Sequence, residues 1–89
     1  MFDWDDGNVD HVRDHGIEPE EAEEALLDPR ALGVGVYNVR GEQRQGALGS
    51  TENGRILFVV FTERHRQPRV ITARDATTTE KRRYHRRGK

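Results

Sequence analysis

The chain contains no cysteine. Disulfide bonds, Cys-ligated zinc and thiol redox chemistry are therefore excluded. Long apolar runs are missing too. The longest spans residues 56–61, far short of the roughly 18–20 residues that a membrane-spanning helix needs. Tryptophan and methionine occur once each, and 33% of the residues are hydrophobic against 35% charged. A chain of 89 residues so poor in apolar side chains has material for one small core, so a single domain over residues 1–89 is expected. The opening MFDWDDGN is acidic, unlike a secretory signal, and a cytoplasmic location is the expectation.

What is abundant is charge, and it is segregated. Residues 1–30 hold eleven acids and two arginines, whereas residues 31–89 hold thirteen bases and five acids. The formal net charge of −1 conceals this division. A basic block of this kind points to a polyanionic partner. Thirteen of the fifteen bases are arginine, whose planar fork matches phosphate geometry.

Along the chain, Asn8 is placed to cap a first helix with Val9 and Val12 on one face, closing near Gly16. His11 and His15 share a helical face, but no third ligand and no HExxH pattern accompanies them, so no metal site is expected. Pro19 and its flanking glutamates open a second helix with Ala22, Ala25 and Leu26 as its apolar stripe, and Asp28-Pro29 stops it. Strands are expected over residues 31–39, 43–50, 56–62 and 69–74. Arg40-Gly41 marks a turn, Glu52-Asn53-Gly54 reads as a hairpin signal of the Asn-Gly type, and residues 64–68 read as a loop. The unbroken apolar run of the third strand marks a central position, covered on both faces or set in a dense core. Thr77–Thr79 followed by Glu80 is a capping box for a last helix that runs through Tyr84 and frays over residues 86–89. The order α-α-β-β-β-β-α with short connections predicts an α+β fold: two short N-terminal helices, a four-stranded antiparallel sheet and a C-terminal helix.

The candidate chemistry lies in the basic block. RNA carries its own nucleophile, the 2′-hydroxyl. Arginines that orient the phosphate and stabilise developing charge suffice for its cleavage, with no metal or other cofactor required. Arg44, Arg64 and Arg74 are the central candidates. Antiparallel pairing would place Arg44 and Arg64 on one rim and Arg69 beside Arg64 across the loop, while Arg74 belongs to the far end of its strand. Proton transfer could fall to Glu42, Glu63, His65, Tyr84 or His85, with a glutamate needing a raised pKa. Arg66, Arg69, Arg82 and Arg83 are candidates for RNA contacts, and Tyr84 could stack on a base. No helix combines helix-turn-helix spacing with base-reading residues.

These blocks also resemble a known family. FDWDDGN with HVRDHGI, then EPEEAEEALLDP, GEQRQGALG and LFVVFTERHRQPRVITARDATTTEKRRY follow in order the motifs of the BrnT family of type II toxins, which are small ribonucleases with a RelE-like fold. The resemblance covers nearly the whole chain. It implies RNA cleavage, inhibition of translation and growth, and neutralisation by a cognate DNA-binding antitoxin. That antitoxin would be of ribbon-helix-helix type and would carry the pair to operator DNA. By position, Arg44 matches the arginine of the G-E-x-R motif, Arg64 that of T-x-R and Arg74 that of the A-R pair, and Glu42 and Tyr84 also fall on motif positions. The alternative is a relative that binds RNA or a partner without cutting it.

Overall fold

A computed structural model of the chain describes residues 1–86. The elements are α1 (Asp6–Asp14), α2 (Pro19–Leu27), β1 (Leu32–Val39), β2 (Glu42–Ser50), β3 (Ile56–Arg64), β4 (Gln67–Asp75) and α3 (Thr78–Arg86). The strands form an antiparallel meander in the order β1-β2-β3-β4. The fold is thus α+β with two N-terminal helices, a four-stranded antiparallel sheet and a C-terminal helix. The expected fraying beyond Arg86 lies outside the described residues.

Alternation along β3 builds two cores. Leu57 and Val59 face α1 and α2, where they join Val12, Ile17, Ala22, Ala25, Val70 and Ala73. Ile56 and Phe58 point the other way and gather with Leu48, Ala76 and Tyr84. The run in β3 is apolar because one side packs under the N-terminal helices and the other side, at its Ile56–Phe58 end, packs on Leu48, Ala76 and Tyr84. α2 lies so close to β2 that a Cβ on Gly49 would sit 1.9 Å from the carbonyl oxygen of Ala25. A glycine there is a condition of that packing.

Two local expectations need correction. The N-cap of α1 is Asp5, not Asn8. Asp5 Oδ1 accepts from the Asn8 amide at 3.2 Å, and Asn8 Oδ1 accepts from the Asp5 amide at 2.8 Å. Asn8 is thus the third helical residue of a capping box. Residues 64–68 are not a loop: β3 and β4 extend to Arg64 and Gln67, and a two-residue turn joins them. His65 and Arg66 both adopt left-handed backbone, at φ 55° and 64°, as the primed hairpin turn demands. The hairpin expected at Glu52-Asn53-Gly54 is present. The Gly54 amide donates to the Thr51 carbonyl and the Thr51 amide to the Arg55 carbonyl, both at 2.9 Å, and Gly54 has φ 84°. This is the three-residue form, a turn closed by one left-handed glycine.

The two sheet edges differ. The N-terminal segment closes β4: the Asp3 amide donates to the Pro68 carbonyl at 2.8 Å, and Asn8 Nδ2 donates to the Val70 carbonyl at 3.0 Å. β1 ends the sheet on the other side, and among the described residues nothing pairs with its outer edge.

Candidate functional site

The register fixes which side chains share the sheet face opposite α1 and α2. Leu48 stands opposite Phe58 and Gly46 opposite Val60, so alternation places Glu42 and Arg44 of β2 with Thr62 and Arg64 of β3. On β1, Tyr37 stands opposite Arg44, and on β4, Arg74 stands opposite Phe58. α3 covers the Phe58 end of this face through Tyr84. The hairpin end stays open, with Arg44 and Arg64 28% and 46% exposed at their side chains.

At that open end Arg44 and Arg64 converge on one carboxylate. Arg44 Nε donates to Glu42 Oε1 at 2.9 Å, and Arg64 Nη2 donates to Glu42 Oε2 at 3.4 Å. The Arg44 guanidinium, with Arg64 adding to it, holds the Glu42 carboxyl below the usual carboxylate range. Glu42 therefore stays ionised near neutrality. The raised pKa that a general acid would need is absent, and the carboxylate accepts from two guanidinium groups side by side. The sequence argument for one rim bearing Arg44 and Arg64 agrees with this geometry. Arg64 stands opposite Gln67 and Arg69 opposite Thr62, so the two arginines are diagonal neighbours across the β3–β4 pair.

Arg74 belongs to a second cluster on the same face. Its Nη1 and Nη2 donate to Glu80 at 2.8 and 3.0 Å, and its guanidinium carbon lies 4.5 Å from the centre of the Phe58 ring. Glu80 also accepts from the Thr77 amide at 2.8 Å, so the capping box of α3 and the Arg74 pair share one carboxylate. The Arg74 bond holds Glu80 below its usual range. From the level of Arg74, opposite Phe58, to Arg64 is six strand residues, on the order of 20 Å. The structure does not bring Arg74 to the rim of Arg44 and Arg64.

The other predicted residues divide in the same way. Arg69 is 14% exposed and bridges Asp5 at 3.0 Å and Asp3 at 3.6 Å, clamping the N-terminal segment to β4. Arg66 is exposed at the hairpin tip, next to His65. Arg82 and Arg83 are exposed on α3, where Thr78, Lys81, Arg82, His85 and Arg86 line a shallow basic groove of about 400 Å³. Tyr84 is 7% exposed, and its hydroxyl donates to Asp28 Oδ2. Burial pushes the Asp28 carboxyl up, but bonds from Tyr84 and from the Arg30 and Ser50 amides outweigh it, leaving Asp28 lowered. The groove of about 440 Å³ beside Tyr84 is lined by Glu24, Asp28 and Glu52, a setting hostile to phosphate. His11 and His15 lie with ring centres 5.3 Å apart, and among the described residues no three His, Cys, Asp or Glu side chains gather to hold a metal.

Two contributors escaped the sequence reading. Tyr37, 44% exposed, stands opposite Arg44 in the pairing of β1 with β2; its only signal was a lone aromatic in an edge strand of aliphatic residues, glycines and one asparagine. Arg55 ties four segments together: Nε and Nη2 hold Asp75 at 2.7 and 2.9 Å, and Nη1 reaches the Gly16 carbonyl at 3.1 Å and Glu21 at 3.2 Å. No local signal announces it, because its partners lie 20–39 residues away.

No curated protein sequence matches the chain significantly. A family model described as the ribonuclease toxin BrnT of type II toxin–antitoxin systems matches residues 4–80, which include all three central arginines and Glu42 and end before Tyr84. With most of its length matched in this way, the chain belongs to the BrnT family of ribonuclease toxins.

Proposed function

We propose that this chain is, as one domain over residues 1–89, a metal-independent endoribonuclease that inhibits translation and growth from within the cytoplasm. Its cleavage site is the open end of the sheet where Arg44 and Arg64 meet. The observation that supports this most is their convergence on Glu42, which sets two charge-assisted donors side by side on an uncovered face. The scissile phosphate displaces part of those contacts. The 2′-hydroxyl of the preceding ribose loses its proton and attacks phosphorus, and the bond to the 5′-oxygen breaks, leaving a 2′,3′-cyclic phosphate and a 5′-hydroxyl end. Arg44 and Arg64 stabilise the negative charge that builds on the phosphate oxygens, each contributing about 2.7–4 kcal/mol to the barrier reduction. His65, next to Arg64 at the tip of the same hairpin, takes part in proton transfer, and Tyr37 offers a stacking surface beside Arg44. Arg74, farther along the face, and Arg66, Arg82 and Arg83 hold flanking phosphates. A cognate antitoxin of ribbon-helix-helix type neutralises the chain and carries it to operator DNA.

The test is incubation of the purified chain with RNA in EDTA. Cleavage leaving 5′-hydroxyl ends, blocked by the antitoxin, is expected. Glu42 and Arg74, both held in ion pairs, favour the alternative of a non-catalytic relative that binds RNA or a partner. RNA left intact but bound with a salt dependence of about −0.7 log units per phosphate contact would establish that alternative.

A further inference from the structure

Among the described residues, the chain protects one edge of its sheet and leaves the other bare. At β4, backbone, Asn8 and the Arg69 ion pairs hold the N-terminal segment along the strand. At β1, eight residues reading LGVGVYNV present an edge of roughly 27 Å with no charged side chain and no proline. Val36 and Tyr37 on it are 63% and 44% exposed. Unpaired edges of this kind are templates for a further strand, and soluble proteins blunt them with charge, proline or a cover.

We infer that the outer edge of β1 is the docking surface for an extended segment of the antitoxin, apolar in its middle and acidic at the end that lies beside Val39 and Arg40. Charge selects this occupant. Arg40 closes β1, and Arg44 stands beside Tyr37 on the next strand. A second copy of the chain paired antiparallel along β1 would bring an edge strand with no acidic side chain to meet them. A strand whose acidic end lies beside Arg40 meets opposite charge there. Docked in that position, it also runs past Tyr37, one strand out from Arg44, so the acidic end shields the rim where RNA is proposed to bind. Neutralisation then follows from strand addition to β1, with no need to distort the fold. This inference rests on the toxin reading for its partner.

The experiment compares amide hydrogen exchange of the chain alone with that of the chain bound to its antitoxin. Slowing of exchange across residues 34–39 in the complex by tenfold or more is expected. Two variants, Gly35→Pro and Val36→Pro, accompany it. Amides alternate between facing β2 and facing outward, so one of the two removes a ladder bond and the other an outward donor. The variant that keeps the wild-type melting temperature should lose antitoxin affinity at least tenfold while its RNA cleavage without antitoxin is unchanged. Protection confined to other segments, or full affinity in both variants, overturns the inference. Protection of residues 34–39 in the chain alone, rising with concentration, assigns the edge to a second copy and overturns it as well. Absence of RNA cleavage refutes the enzymatic reading and leaves the exchange result to decide this one.

Discussion

Replacing Asn8 tests how the fold closes its β4 edge. Asn8 is 5% exposed and makes three side-chain bonds: Nδ2 donates to the carbonyls of Val70 and Asp3, both at 3.0 Å, and Oδ1 accepts from the Asp5 amide at 2.8 Å. In Asn8→Ala the Val70 carbonyl is left buried without that donor, which costs about 1–3 kcal/mol. The Asp3 and Asp5 groups are part-exposed and regain water, so each loses only the net value of its bond, about 0.5–1.5 kcal/mol. The sum is about 2–6 kcal/mol, a large share of the stability of a domain this size. At about 4–8 °C per kcal/mol, the melting temperature should fall by roughly 10–50 °C. Asn8→Asp keeps the shape and the acceptor but turns a carboxylate toward two carbonyl oxygens, beside Asp3 and Asp5, so it should be at least as damaging at neutral pH. Urea denaturation and calorimetry measure both. If both variants melt within about 0.5 kcal/mol of the parent, the Asn8 bridge does not hold the N-terminal segment and the contrast between the two edges loses its basis.

Other outcomes follow from single contacts. Gly49→Ala should abolish folding or lower stability by several kcal/mol, since its Cβ would meet backbone of α2 at 1.9 Å; a circular dichroism melt close to that of the parent would refute the fixed contact between α2 and β2. Asp5, Asp28, Glu42, Asp75 and Glu80 all have carboxyl groups held below their ordinary values in the folded chain. Their contribution is present above the ordinary carboxylate values and is lost as pH falls through the lowered ones. Melting temperature should therefore hold from about pH 7 to 5 and drop below about pH 4, and a fall between pH 7 and 5 contradicts the assignment. Changing His65-Arg66 to Asn-Gly relieves two left-handed non-glycine residues, each costing about 1–2 kcal/mol, so stability should rise while RNA cleavage drops; a variant both stabler and fully active shows that the hairpin tip has no part in the reaction.

The parts of the fold legible in the sequence are those whose signals are local. Alternation and β-branched residues mark the strands, Pro19 and Asp28-Pro29 bound α2, and Thr77 with Glu80 announces α3. Asn8 misled because a reciprocal capping box carries a cap-forming residue at both ends, and the choice between Asp5 and Asn8 is made by the Val70 carbonyl across the sheet. The tight turn at His65-Arg66 was hidden because neither residue type signals left-handed backbone. At the candidate site, strand direction alone put Arg44 and Arg64 on one rim. The partners of the arginines were not legible. Arg69 and Arg55 meet acids from the first third of the chain, and Arg74 meets an acid six residues ahead only because α3 turns back over the sheet. Segregated charge in the sequence is thus partly consumed within the fold, and the arginines left on open surface are a subset that only tertiary structure selects.

The central claim is that Arg44 and Arg64 act together on the phosphate at the open end of the sheet. It is tested most directly by single-turnover RNA cleavage in EDTA by the parent chain, Arg44→Ala, Arg64→Ala and the double variant, each with its melting temperature. The account predicts a rate loss of about 10²–10³ for each single variant, with folding retained. Folded variants that cut RNA at the rate of the parent would contradict it.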